Sequence, residues 1–100
     1  MSLGQIELDV IRWSEQRGII QNSDSKTQLL KAFSEMGELS DAITKRNRVD
    51  IIDALGDVIV CLINVAAIED LDLGYCLKEA YNQIKDRKGY LNKEGVFIKD

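Results

Sequence analysis

The sequence contains no histidine and no proline, and it has only two cysteines. Without histidine, histidine-based triads, Cys-His dyads and His-bearing zinc sites are excluded, so any chemistry must run on carboxylates, lysines and metal. Without proline, nothing interrupts helical periodicity, and the glycines fall mostly at plausible helix ends. Cys61 and Cys76 are isolated, with no C-x-x-C spacing, which fits reduced core thiols. A basic excess is also missing: 13 Lys and Arg stand against 17 Asp and Glu, a net charge of -4 with a pI near 4.8. That balance argues against a nucleic-acid polymer or an anionic membrane as partner. Single nucleotides stay open, because a bound metal can reverse the sign of a local site. Met1 to Gly18 alternates charged and apolar residues at helical spacing rather than reading as a signal peptide, so cytoplasmic residence is the expectation.

At 100 residues, 45% hydrophobic and 30% charged, one soluble globular domain is expected over 1–100. The stretch from Asp50 to Ala67, DIIDALGDVIVCLINVAA, organises it. On a helix its Ile, Leu, Val, Cys and Ala side chains point nearly all round, while Asp50, Asp53, Asp57 and Asn64 share a sector of roughly 60°. Carboxylates in one stripe argue against a bilayer and call for compensation inside a protein, most cheaply a hard divalent cation. The plainer account places Asp50 and Asp53 at a helix N-terminus, where the macrodipole favours acids, and gives Asp57 one basic partner. A chain this short buries only about two-thirds of its unfolded surface, so enclosing such a helix predicts a homo-oligomer, dimer or tetramer.

The periodicity predicts an all-α fold, a four-helix antiparallel bundle with helices at about 4–17, 26–45, 48–69 and 73–88 and a short tail at 89–100. Gly18 is the expected stop of the first helix. Ser25 with Gln28 has the form of a capping box, and Asn47 and Asp72 are the expected caps of the third and fourth helices. Ile19 to Asp24 reads as a loop. The tail reads as a short hairpin or extended segment docked on its own bundle or on a neighbouring subunit. Trp13 is either a core-edge aromatic or a surface on which a nucleobase stacks.

Glu35 and Glu38, spaced i, i+3, lie on one side of the second helix. Such a pair is ordinary unless a second acidic pair faces it. The short polar turn Lys45-Arg46-Asn47-Arg48 predicts antiparallel packing of the helices it joins, which brings Glu35 and Glu38 near the level of Asp57. Gly56 beside Asp57 permits close approach of another helix or a phosphate. Lys78, Asn82 and Lys85 recur at i, i+4, i+7, either as a solvated basic face or as a donor row for phosphate oxygens extended by Arg87 and Lys88.

Glu35-Met36-Gly37-Glu38 followed one helix later by Leu55-Gly56-Asp57 resembles the MazG-like all-α nucleotide pyrophosphohydrolases, whose pattern is E-x-x-E and then E-x-x-D. Lys31, Gly37-Glu38-Leu39, the apolar helix after Asp57 and Asn82 to Gly89 extend the resemblance over nearly the whole chain, closest to short phage and mobile-element members. The sequence departs at Ala54, where the pattern has Glu, and keeps an acid one residue earlier, Asp53. The resemblance implies hydrolysis of a nucleoside triphosphate between the α and β phosphates, with a site between two subunits. Glu35, Glu38 and Asp57, with Asp53, would hold Mg²⁺ or Mn²⁺, and Glu35 or Glu38 would accept the proton of the attacking water. Lys85 with Arg87, Lys88 or Lys78 would bind the departing phosphates; Lys31, Asn64, Asn82 and Trp13 complete the implied substrate contacts. The rival reading is a non-catalytic oligomerisation or nucleotide-sensing module that has lost full metal ligation.

Overall fold

The turn Lys45-Arg46-Asn47 folds the two longest helices, α3 (Ser25–Thr44) and α4 (Arg48–Ile68), against each other in the computed structural model, which describes residues 3–100. Of the expected domain span, Met1 and Ser2 lie outside the described residues. Gln28 meets Asn64 while Glu38 shares a cavity with Asp53 and Ala54, a register that only antiparallel helices produce. The seam is built of small or slim side chains, Ala32 and Ala42 against Ala54, Val58 and Cys61, all buried. Around this hairpin stand α1 (Leu3–Gln16), α2 (Ile19–Asn22) and α5 (Leu73–Ile84), followed by the strands β1 (Gly89–Leu91) and β2 (Phe97–Lys99).

The helix ends follow local side-chain chemistry. Asn47 Oδ1 accepts from the Asp50 N–H at 3.1 Å and Asp72 Oδ1 from the Tyr75 N–H at 2.6 Å, as expected of N-caps. Gly18 ends α1 in the left-handed region, φ 75°, and the Asn22 amide packs where a Cβ would stand, 2.8 Å away. Gly18→Ala is therefore expected to cost roughly 1 kcal/mol or more, read as a lowered urea midpoint at unchanged slope. Two turns take positive φ without glycine, Arg46 at 54° and Asp70 at 59°. In both, the following N–H reaches back to close the helix, Asn47 to the Ala42 carbonyl and Leu71 to the Ala66 carbonyl.

Several expectations are corrected. The cap of α3 is Asp24, whose Oδ1 accepts from the Thr27 N–H at 2.7 Å, because the Ser25 hydroxyl is taken by Glu69. That bond to the N–H holds the Asp24 carboxyl below its usual pKa. Ile19–Asn22 is a single helical turn, not a loop, and packs on α1 and α4. There are thus five helices among the described residues, the four expected and this short one. The last helix ends at Ile84 rather than Lys88, because the Lys88 carbonyl belongs to the hairpin ladder, accepting from Asp100 N–H at 3.0 Å. The tail is the expected hairpin, Tyr90 opposite Ile98, and a Cβ on Gly89 would strike the Ile98 carbonyl oxygen at 2.1 Å. Among the described residues neither strand packs against a helix, so the tail is not docked on the bundle they form.

One chain does not enclose the apolar central helix. By length and composition α4 could cross a membrane, yet its seam with α3 and its stripe of Asp53, Asp57 and Asn64 belong to a core helix. On its far side Val49, Ile52 and Leu55 are exposed, with Phe33 and Leu30 exposed on α3. An added Cβ at Gly56 would touch nothing within 4 Å.

Candidate functional site

The antiparallel register places the acids of α3 and α4 along one edge of their seam. Glu35 side-chain exposure is 16%, and its Oε1 lies 3.7 Å from the Lys31 ammonium one turn earlier. Its Oε2 is buried and has no hydrogen-bond partner. Glu38 lies close enough to hydrogen-bond Glu35 when protonated. That bond, the Glu35 charge, partial burial and the charges of Asp57 and Asp53 push the Glu38 carboxyl above its ordinary pKa. Asp57 is also raised, first by burial and then by Asp53 and Glu35, against a smaller opposing pull from Lys31. Four carboxylates from two helices thus repel one another, and Lys31 offsets part of the charge at Glu35 and Asp57.

Two cavities flank this edge. One of about 290 Å³ is lined by Glu38, Asp41, Lys45, Asp50, Asp53 and Ala54. The other, about 270 Å³, is lined by Trp13, Lys31, Glu35, Asp57 and Asn64 among others. Tertiary structure therefore gathers Trp13 from α1 with Lys31, Glu35, Asp57 and Asn64, and sets Glu38 and Asp53 on the neighbouring cavity wall. Ala54 is buried and lines the first cavity at the position where the motif pattern has Glu.

Among the described residues, no three His, Cys, Asp or Glu side chains converge closely enough to hold a metal ion. The donor chemistry nevertheless fits a hard divalent cation: all four groups are carboxylates, one oxygen is buried without a partner, and their mutual repulsion is relieved by positive charge.

The basic row lies elsewhere. Lys78 and Asn82 on α5, and Lys85, Arg87 and Lys88 after it, are exposed, and none lines either cavity. Their helix packs on α1 and α4 but not on α3. Its N-terminus is tied down by Glu7 of α1, a buried carboxylate that accepts from the Leu73 N–H and, at 2.9 Å, from the Gly74 N–H. A Cβ on Gly74 would crowd Glu7 Oε1 at 3.3 Å. Helical periodicity points to Ile6, Val10 and Trp13 as the packing face of α1 and carries no signal for Glu7. The buried side chains there are Glu7 and Ser14, seven residues apart on one face. Periodicity also misses the partners of Asn64, which accepts from Ser14 Oγ at 2.6 Å and donates to Gln28 Oε1 at 3.3 Å. A lone amide in an apolar run was the available signal. Cys61 and Cys76 are free thiols, and burial pushes the Cys61 pKa up.

A helical hairpin with facing acidic pairs defines an all-α protein built around a carboxylate site. Residues 23–91 match the model of the MazG nucleotide pyrophosphohydrolase domain, and the chain belongs to that family. It is similar to a phage protein, the uncharacterized 18.2 kDa protein in the rep-hol intergenic region of Haemophilus phage HP1 (strain HP1c1). The two are 31% identical over 71 residues, 70% of this chain and 43% of that relative. The chain thus spans less than half of the relative's length. No solved structure matches.

Proposed function

We propose that the protein hydrolyses a nucleoside or deoxynucleoside triphosphate to the monophosphate and pyrophosphate, with Mg²⁺ or Mn²⁺. The observation that carries this reading is the buried, partnerless oxygen of Glu35 within four mutually repelling carboxylates beside a cavity walled by Trp13. Glu35, Glu38, Asp57 and Asp53 are the residues that would hold the cation. When bound, it neutralises triphosphate charge and favours an attacking water. Glu38, its pKa raised by Glu35, is suited to accept the proton as the water oxygen bonds the α-phosphorus and the bond to the bridging oxygen breaks. Lys31 faces the same cavity and supplies a cation to phosphate oxygens. Lys78, Asn82, Lys85, Arg87 and Lys88 would serve a site completed by a second copy, because in their own chain none of them lines a cavity beside the acids. The exposed apolar faces of α3 and α4 and the undocked hairpin support that assembly.

The non-catalytic module is favoured by Ala54 and by the lack, among the described residues, of three carboxylates converging closely enough to hold a metal ion. One experiment separates the two: pyrophosphate release from a panel of ribo- and deoxyribonucleoside triphosphates with Mg²⁺ or Mn²⁺, wild type against Glu38→Gln. Metal-dependent release, lowered about a hundredfold or more in the variant, is expected. A folded, oligomeric wild type that releases nothing with either metal would leave the nucleotide-sensing module.

A further inference from the structure

Trp13, Asp57 and Val60 are shared walls. They line both the cavity with Lys31 and Glu35 and a larger one, about 430 Å³, lined by Ile6, Asp9, Val10, Trp13, Asp57 and Val60. The larger cavity is mostly apolar and, among the described residues, has no basic side chain in its wall. A triphosphate placed there would meet only Asp9 and Asp57, two charges of its own sign. The uncharged end of a nucleotide suits it instead, with its phosphates reaching past Asp57 towards Glu35 and Lys31.

The Trp13 ring is 45% exposed. The Arg17 guanidinium, which lines neither cavity, covers one face at 4.2 Å from the ring centroid. Trp13 lines both cavities, so the ring surface that Arg17 leaves open is available to a flat aromatic ligand. Among the described residues that line the large cavity, Asp9 is the only charged side chain that the carboxylate site does not use. Its Oδ1 accepts from Gln5 Nε2 at 3.0 Å, which leaves further acceptor capacity on the carboxylate. A carboxylate accepts from an amino group and repels a carbonyl oxygen. Cytosine, adenine and guanine each carry an amino group, whereas uracil and thymine flank their single ring N–H with two carbonyls.

Resting on the pyrophosphohydrolase reading above, we propose that this cavity takes the nucleobase and that Asp9 selects bases bearing an amino group over uracil and thymine. Two measurements test it. In the first, kcat/KM for pyrophosphate release is compared across the deoxynucleoside and ribonucleoside triphosphates for wild type, Asp9→Ala and the isosteric Asp9→Asn. The wild type should favour amino-bearing bases about tenfold or more, and Asp9→Ala should bring that ratio close to one, mainly through KM. In the second, the fluorescence of Trp13, the sole tryptophan, is titrated with dCMP and with dUMP in Mg²⁺. Tighter quenching by dCMP, lost in Asp9→Ala, is expected whether or not the chain turns over triphosphates. No release from any triphosphate with that quenching intact would sink the hydrolase reading and leave the base cavity standing. Equal or stronger response to dUMP would overturn the proposal. So would an Asp9→Ala effect on the ratio of ribo to deoxy substrates in place of the base ratio, which would make Asp9 a sugar reader.

Discussion

Asp57→Asn is expected to stabilise the metal-free protein and to abolish metal-dependent pyrophosphate release, two effects of opposite sign from one carboxylate. Burial and the neighbouring charges of Asp53 and Glu35 raise the Asp57 pKa, so the folded state prefers the protonated acid. A raised pKa contributes stability that is fully present below the unfolded value, about pH 4, and is lost as pH rises through the folded value. At neutral pH the wild type therefore carries the whole repulsion, and Asn, similar in shape but uncharged, removes it. Thermal unfolding in chelator from pH 4 to 8 should show the variant melting above wild type at pH 7, with the gap closing towards pH 4. Added Mg²⁺ should raise the melting temperature of the wild type more than that of the variant, since only a ligand that binds the folded state stabilises it. Release should fall by about a hundredfold or more. A variant less stable than wild type at pH 7 without metal would mean that Asp57 is satisfied by a cationic partner, and the carboxylate site would lose its basis.

The largest loss of stability is expected from Asn64→Ala. Its amide joins three helices: Ser14 Oγ donates to Asn64 Oδ1, Asn64 Nδ2 donates to Gln28 Oε1, and Gln28 Nε2 donates at 3.1 Å to the Ser23 hydroxyl. Ser14 is 0% exposed, so the truncation strands a hydroxyl that water cannot reach. Two lost bonds and the stranded buried groups cost about 3 kcal/mol, which lowers the melting temperature of a chain this size by roughly 15 °C. The double variant Ser14→Ala, Asn64→Ala should cost clearly less than the sum of the two single changes, because removing both ends of a buried bond leaves less unpaired. Additive costs in that cycle would show that the two side chains act separately. Asn64 also lines the cavity of Glu35 and Asp57, so the same amide links the packing of α1 against α4 to the shape of the site.

The caps show where local chemistry is enough and where it is not. Asn47 and Asp72 were readable because an N-cap bonds an N–H three residues on, within one short peptide. Asp24 and Ser25 are adjacent residues equally able to cap, and local rules cannot choose between them. Glu69, 44 residues away, takes the Ser25 hydroxyl and so decides for Asp24. The end of the last helix was misplaced for a similar reason. Lys85 to Lys88 has nothing against helix, but the backbone at Lys88 is claimed by Asp100 from the far strand.

By itself, the sequence determined the chemistry open to this protein and the level at which its acids meet. Lack of histidine left carboxylates, lysines and metal, and the lengths of two helices about a short turn brought Glu35 and Glu38 near the level of Asp57, because helical rise and period are properties of the backbone. Membership of the family was legible in those same residues. Only the tertiary structure decided which face of α1 is buried, that Glu7 anchors α5, that Asn64 is clasped by Ser14 and Gln28, and that Trp13 lines two cavities. It also decided that, in one chain, the basic row lines neither cavity of the candidate site. These outcomes depend on how each helix is rotated and crossed against its neighbours, which the partners of buried polar groups fix and which no periodicity along a single helix encodes.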